Sequence, residues 1–182
     1  MSQYPVHTIE SAPEQSKPLM EGLKTAFGFI PNLIGVMSNS PALISELVGL
    51  FGKVHGGNFT EPQIQVVLLT NAVTNGAAWA VAFHSALALS EGVSEADVQA
   101  IRAGRLPSDA KFAAVSHLAK TLIEQRGRVD QKEIETFVSA GFDKELVLDL
   151  VGIVAASTIT NYTASVTQVP LEEKFQAHAW QA

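Results

Sequence analysis

His84 is the residue with the clearest potential for chemistry in this sequence, because it lies in a largely apolar run from Ala77 to Ala88. A histidine enclosed by apolar residues can move a proton to or from a bound molecule, or it can be a hydrogen-bonded residue with no chemical role. The chain contains no cysteine, so it has no thiol nucleophile, no disulfide and no thiolate ligand for a metal. Proton transfer and hydrogen bonding are therefore the chemistry that remains open.

The other four histidines are weaker candidates. We expect His55, in the glycine-rich turn 53–57, to be solvated and His117 to lie on a helix surface. His7 and His178 are near the termini and support no functional role. No pair of histidines or carboxylates has the spacing of a metal site, and the glycines do not form a phosphate-binding loop. The sequence predicts neither a metal nor a cofactor.

Helix-start signals recur along the chain and would position these residues. At one start, Thr60 can cap a helix with Gln63 three residues later, and an apolar pair, Phe59 and Ile64, flanks the cap. The same design recurs at Ser94 and at Asp130, and Phe142-Asp143 offers the apolar pair alone. Between the starts, apolar residues recur at helical spacing, and no segment alternates like a strand. The pattern predicts an all-α protein, a compact helical bundle.

The starts, the apolar periodicity and the glycine-containing breaks give the bounds of the expected helices. They cover residues 13–26, 41–54, 61–73, 77–90, 95–103, 108–126, 131–140 and 144–166, with a short helix near 171–178. We predict a single domain, 1–182, in which 1–58 form an N-terminal helical extension and 59–182 form the core. Five prolines interrupt the extension, which is too short to have a core of its own.

Composition and charge exclude several classes of partner. The net charge is −6 and no block of basic residues occurs, so neither nucleic acid nor a membrane surface is an expected partner. No segment has about 18 uninterrupted apolar residues, the length that spans a bilayer. The longest candidate, 146–156, is too short and carries Asp149. The first ten residues lack the pattern of a signal peptide, and we expect a cytoplasmic protein.

An apolar composition favours association with other copies. Hydrophobic residues make up 47% of the chain and charged residues 16%, which indicates helices buried between subunits of a homo-oligomer. Trp79, Phe83 and Leu87 lie at i, i+4 and i+8 and therefore share one helical face. Such a stripe is typical of a core or of a subunit interface, and we expect helix 77–90 to lie near an interface.

The central segment resembles a known family. Residues 60–89 read TEPQIQVVLLTNAVTNGAAWAVAFHSALAL and resemble the signature of the alkylhydroperoxidase D / carboxymuconolactone decarboxylase family. In that signature, a helix leads through an Asn-Gly-type break into Cys-x-x-Cys-x-x-x-His. Residues 27–33 with 40–43, and residues 161–162 with 170–180, resemble flanking segments of the longer, peroxidase-related members. The resemblance implies the family's helical bundle and assembly into dimers, trimers or hexamers.

Carried over residue by residue, His84 matches the motif histidine, while Ala77 and Ala80 stand at the two cysteine positions. Gln65 stands where the family has a proton-relay glutamate. In the family reaction, which is peroxiredoxin-type, one thiolate attacks the peroxide and the second cysteine resolves the sulfenic acid to a disulfide. Alanine offers no nucleophile, and glutamine exchanges no proton near neutral pH. The chain is therefore predicted to be inactive as a dithiol peroxidase.

Three functions remain open after this comparison of residues. The chain is a divergent pseudoenzyme that keeps a pocket for a small apolar or peroxide-like ligand, or a cysteine-independent decarboxylase or proton-transfer enzyme that uses His84, or a non-catalytic structural or regulatory oligomer. In the first two, Gln65, Ala77, Ala80 and His84 are expected to meet in one small cavity. Gln65 has a simpler interpretation as an amide that hydrogen-bonds His84 or a helix end.

Overall fold

The computed structural model describes residues 4–181, and every regular element in that range is helical. The elements are α1 (Lys17–Phe27), α2 (Asn32–Met37), α3 (Pro41–Val54), α4 (Glu61–Thr74), α5 (Ala78–Ser90), α6 (Glu95–Arg102), α7 (Ala110–Glu124), α8 (Gln131–Ser139), α9 (Leu146–Thr167) and a 3₁₀ helix (Glu173–His178). The predicted all-α class is confirmed.

Side chains cap three of the predicted helix starts. The Oε1 atom of Gln63 accepts a hydrogen bond from the backbone N–H of Thr60, 3.0 Å away, as a capping box requires. The side chains of Ser94 and Asp130 likewise accept from backbone N–H groups of the first turns of α6 and α8. The fourth start is different, because α9 begins at Leu146, two residues later than predicted, with no side-chain cap.

The N-terminal region departs most from the predicted bounds. Helix α1 begins at Lys17 rather than 13, because the preceding residues form turns in which the N–H of Ser16 bonds to the carbonyl of Pro13. Helix α2 was not predicted. It is six residues long, too short to show a helical period, and it begins directly after Pro31, whose backbone is extended. Its Leu33 side chain is buried, so this segment contributes to the core.

Helix α4 lies at the centre of the bundle. It packs against α5, α7 and α9, and its side chains from Gln63 to Ala72 are all buried. A helix surrounded by others needs apolar residues on every face, which explains why α4 shows no single apolar stripe. Inside this helix the few polar residues find partners, as Thr70 does with the hydroxyl of Ser116 at 2.8 Å.

A tight break between α4 and α5 turns the chain back on itself. Gly76 has a φ of +65°, a left-handed conformation that a side chain disfavours. The N–H of Ala77 then reaches back to the carbonyl of Ala72, 2.9 Å away, and closes the end of α4. Because α4 and α5 pack together after this turn, a residue in the middle of one helix faces a residue in the middle of the other.

One helix within residues 4–181, α9, is long and apolar enough to cross a membrane by length and composition. The apolar run itself is interrupted, as expected, by Asp149 and by Ser, Thr and Asn residues, but the helix continues through them to a length of 22 residues. Core helices of globular proteins can also have this length and composition. About a third of the most apolar part of α9 is buried against the other helices.

Candidate functional site

The break between α4 and α5 brings Gln65 and His84 together. The Nδ1 atom of His84 lies 3.0 Å from Oε1 of Gln65, and the two residues are only 5% and 4% exposed. As an amide oxygen accepts hydrogen bonds, Nδ1 carries the proton in this arrangement. The Nε2 atom of His84 makes no hydrogen bond to any residue between 4 and 181 and so remains an acceptor.

Burial keeps the imidazole of His84 neutral. Removal from water, with a smaller contribution from the nearby His55, lowers the pKa of His84 to about 3. No carboxylate bonds to the ring, because its partner is the uncharged amide of Gln65. The side chain is therefore a neutral hydrogen-bonding group near pH 7 rather than a cation.

A cavity of about 770 Å³ opens beside this pair. Its walls are mainly apolar and come from α1 to α5, with one residue from α9. They include Leu23, Phe27, Val48, Phe51, Leu68 and Leu87. The polar side chains in the wall are few: His55, Glu61, Gln65, His84, Glu91 and Thr160. An apolar pocket of this size with a few polar groups is the usual form of a small-molecule site.

A second polar pair, His55 and Glu61, lies in the same cavity wall. The Nδ1 atom of His55 is 2.9 Å from a carboxylate oxygen of Glu61, and the two side chains are 35% and 41% exposed. The ring of His55 also stacks on the ring of Phe51, with 5.8 Å between the centroids. His55 was expected to be solvated, and it is exposed to solvent; in addition, it is hydrogen-bonded and lies in the cavity wall.

The two alanines at the motif cysteine positions do not reach the cavity. Ala77 is the N-cap of α5 and Ala80 lies in its first turn, and both are buried. They share a helix with His84, but neither lines the cavity. The methyl group of an alanine extends only one bond from the backbone and is too short to reach the cavity. The residues of α5 that line the cavity have longer side chains: Trp79, Phe83, His84 and Leu87. Of the four residues expected to meet, the structure therefore joins Gln65 and His84 in the cavity wall.

The aromatic stripe of α5 is covered by this chain itself. Trp79 and Phe83 are 7% and 5% exposed and stack with 4.8 Å between their centroids. The indole N–H of Trp79 donates to Glu172 at 2.9 Å, and Phe175 packs edge-on against Phe83. The C-terminal segment therefore covers the face of α5 that was expected to lie near a second subunit. The rings of Trp79 and Phe83 belong to the core of this chain.

The remaining histidines lie outside the cavity. His7 bonds to Ser11 and Asn39, and His117 pairs with Glu133 on the surface of α7 and α8. The backbone carbonyl of His178 accepts from Arg102. Between residues 4 and 181, no group of three or more His, Cys, Asp or Glu side chains is arranged to hold a metal ion.

Residues 47–124, which contain both polar pairs and both alanine positions, match the model of the carboxymuconolactone decarboxylase family. The match runs from the middle of α3 to the end of α7. The resemblance drawn from residues 60–89 is thereby confirmed. Among curated proteins, none matches the chain significantly.

Solved structures share the fold well beyond the matched segment. An uncharacterised peroxidase-related protein from Ralstonia eutropha JMP134, described as an alkylhydroperoxidase AhpD core, is 16% identical, with a TM-score of 0.84 over 96% of this chain and 94% of its own. A similar protein from Silicibacter sp. TM1040 is 15% identical, with a TM-score of 0.76 over 97% and 93%.

A third neighbour carries a bound molecule. A cysteine-to-alanine variant of the debrominase Bmp8, in complex with 2,3,4-tribromopyrrole, is 17% identical, with a TM-score of 0.80 over 98% of this chain and 97% of its own. At these identities the likeness establishes a shared fold over nearly the whole chain, and the activities of the neighbours remain their own.

Proposed function

We propose that this chain is a divergent member of the alkylhydroperoxidase D / carboxymuconolactone decarboxylase family that binds a small apolar molecule beside His84 and does not act as a dithiol peroxidase. The observation that carries the proposal is the apolar cavity of about 770 Å³, whose wall contains a neutral His84 held by Gln65. The volume lies within the range of ordinary small-molecule pockets.

The absence of thiols supports the second half of the proposal. A dithiol peroxidase holds the peroxide oxygen on sulfur between its two half-reactions, and the chain has no cysteine to do so. The alanines at the two motif positions, Ala77 and Ala80, are buried outside the cavity and add no reactive group to its wall. The cavity is left with hydrogen-bonding chemistry at one end of an apolar space.

The ligand class follows from the cavity wall. Apolar side chains predominate in it, and the free Nε2 of a neutral His84 offers one hydrogen-bond acceptor. A small apolar ring fits this wall, and a single N–H or O–H group on the ring would add a hydrogen bond to Nε2. The complex of the Bmp8 variant supports this class, because a protein of the same fold holds a small halogenated pyrrole after one of its cysteines has been replaced by alanine.

Burial counts against His84 as a base in a proton-transfer enzyme. A group with a pKa of about 3 holds a proton weakly at neutral pH, so it takes one from a weak acid inefficiently. The arrangement of His84 therefore favours recognition of a ligand over removal of its proton.

Thermal unfolding in the presence of small apolar rings tests the proposal. At about 100 times the dissociation constant, a ligand adds about 2.7 kcal/mol, which raises Tm by about 5–10 °C for a chain of this size. The matched control is Leu87→Trp, which narrows the cavity beside His84 without changing a polar group. We expect stabilisation of the wild type only. The proposal would be refuted if a ring stabilised both proteins equally, or if no ring stabilised the wild type. Thiol-dependent turnover of peroxide by the wild type would also refute it.

We also propose that copies of this chain associate through α9. Leu148 and Val166 are 75% and 73% exposed, and Tyr162 and Val151 lie on the same side of the helix. The helix contains no Lys or Arg, so nothing on it attracts acidic lipid, and an apolar stripe is complementary to its own copy. Light scattering should give an oligomer for the wild type and a monomer for Leu148→Glu with Val166→Glu. A monomeric wild type, or one that partitions into neutral vesicles, would contradict this pairing.

A further inference from the structure

The hydrogen-bonded pair His55 and Glu61 has no role in the ligand binding proposed at His84. His55 ends α3, Glu61 begins α4, and their side chains bridge the turn between the two helices. Both line the cavity, and both are half-exposed, so the pair touches the apolar interior on one side and water on the other. The pair therefore lies at the mouth of the cavity.

The two polar pairs lie one helical turn apart. Glu61 and Gln65 are four residues apart on α4, which corresponds to about 6 Å along the helix axis. Their partners, His55 and His84, come from α3 and α5 on either side. A molecule of one or two rings that lies against His84 thus extends to His55.

The partner of His55 fixes which nitrogen is free. A carboxylate oxygen accepts hydrogen bonds, so Nδ1 of His55 carries the hydrogen and donates it in the bond to Glu61. Nε2 is left as the free nitrogen, with no hydrogen bond to any residue between 4 and 181. The stack against Phe51 holds the ring plane. An imidazole oriented by a carboxylate, with its second nitrogen open to substrate, is the usual arrangement of a histidine general base.

We propose that His55 and Glu61 form a proton-transfer dyad that acts on a small apolar carbon acid, such as a cyclic ketone, bound in the cavity. Nε2 of His55 takes the proton from the C–H bond, and the electron pair of that bond stays on the substrate as an enolate. The proton returns to the same or another carbon, or exchanges with water at the mouth. No oxidant or reductant is needed. His55 is the catalytic residue, Glu61 is its positioning residue, and the proposal rests on the proposed binding of apolar rings.

The chain contains its own control for this pair. His117 and Glu133 form the same kind of hydrogen bond on the surface of α7 and α8, where they do not line the cavity. If a histidine–glutamate pair alone were sufficient, both pairs would act on an apolar substrate. If the cavity is required, only His55 matters.

Hydrogen–deuterium exchange into 2-tetralone, a two-ring ketone with acidic C1 hydrogens, tests the dyad by NMR in D2O. We expect the wild type to catalyse exchange and His55→Ala to lower kcat by about 10²-fold or more. Free imidazole should restore part of the lost rate, because it can enter the half-exposed mouth. Glu61→Gln should lower kcat with little change in KM, and Glu61→Asp should recover part of that loss. His117→Ala should exchange at the wild-type rate.

Thermal stabilisation by tetralin, which has no acidic hydrogen, separates the two proposals. If tetralin stabilises the protein but His55→Ala exchanges as fast as the wild type, or imidazole restores nothing, the dyad is refuted and ligand binding stands. If exchange falls with His84→Gln but not with His55→Ala, His84 is the base and the dyad is also refuted. If neither ring stabilises the protein, the binding proposal fails and the dyad fails with it.

Discussion

The inner end and the mouth of the cavity contain histidines with opposite surroundings. His84 is buried and bonded to a neutral amide, whereas His55 is half-exposed and bonded to a carboxylate. The partners of the two histidines, Gln65 and Glu61, lie only one turn apart on α4. The different surroundings of the two rings therefore arise over a short distance within one helix. Burial removes water from the inner ring and keeps it neutral, which suits recognition, while the outer ring keeps the contact with water that proton exchange needs. The comparison shows how one helix can supply two kinds of site.

The largest expected effect is the acid sensitivity that His84 gives the fold. Its pKa is about 3 in the folded chain and 6.5 ordinarily, so between these values the unfolded chain binds the extra proton. The contribution is complete above pH 6.5 and is lost as the pH falls towards 3, at about 1.4 kcal/mol per pH unit. Between pH 6.5 and pH 5, the free energy of unfolding should fall by about 2 kcal/mol less in His84→Gln than in the wild type, as measured by urea unfolding.

A control for this pH effect lacks a titratable group. Thr70→Val breaks the buried hydrogen bond to Ser116 and should lower stability equally at both pH values. If His84→Gln and the wild type lose the same free energy on acidification, His84 is not held neutral by burial, and the contrast between the two ends of the cavity disappears.

Replacing the partner of the inner ring should have the next largest effect. Gln65→Leu leaves Nδ1–H of His84 without its acceptor in a buried position. An unsatisfied buried donor costs about 1–3 kcal/mol, which chemical denaturation at pH 7 would measure. A loss below about 0.5 kcal/mol would mean that the hydrogen bond does not hold the ring.

The corresponding change at the mouth should have the smallest effect on stability. Glu61→Gln replaces one half of a half-exposed pair, and such pairs contribute less than about 1 kcal/mol because water and salt screen them. The same denaturation measurement, made beside Gln65→Leu, compares the two ends directly. A loss at Glu61 that equals or exceeds the loss at Gln65 would show that the mouth is structural.

Much of the inner site is accessible from the sequence, because it depends on local signals. The capping pair Thr60 and Gln63 sets where α4 begins, and the Asn75-Gly76 break sets where the chain reverses. Together they fix the register that places Gln65 opposite His84. The family motif adds the identity of both residues, and the structure confirms that they touch.

The mouth of the cavity and the C-terminal segment that covers the aromatic stripe could not be predicted from the sequence in the same way. His55 and Glu61 meet across a glycine-rich turn, whose path no periodic pattern specifies. The visible clue was a histidine at the end of one predicted helix and a glutamate at the start of the next. Trp79 meets Glu172 over 93 residues, a contact set by the packing of the C-terminal segment on α5, so the aromatic stripe looked available to a partner when it was already covered.

Nitrogen-15 NMR of the histidine rings during titration with tetralin would test most directly whether a neutral, buried His84 lines a ligand cavity. At pH 5 the His84 ring should show one protonated and one unprotonated nitrogen, and its unprotonated Nε2 signal should shift as tetralin fills the cavity, while the His117 signals stay in place. A His84 ring protonated on both nitrogens at pH 5, or an Nε2 signal that is unchanged at saturating ligand, would contradict the assignment of this cavity as the binding site.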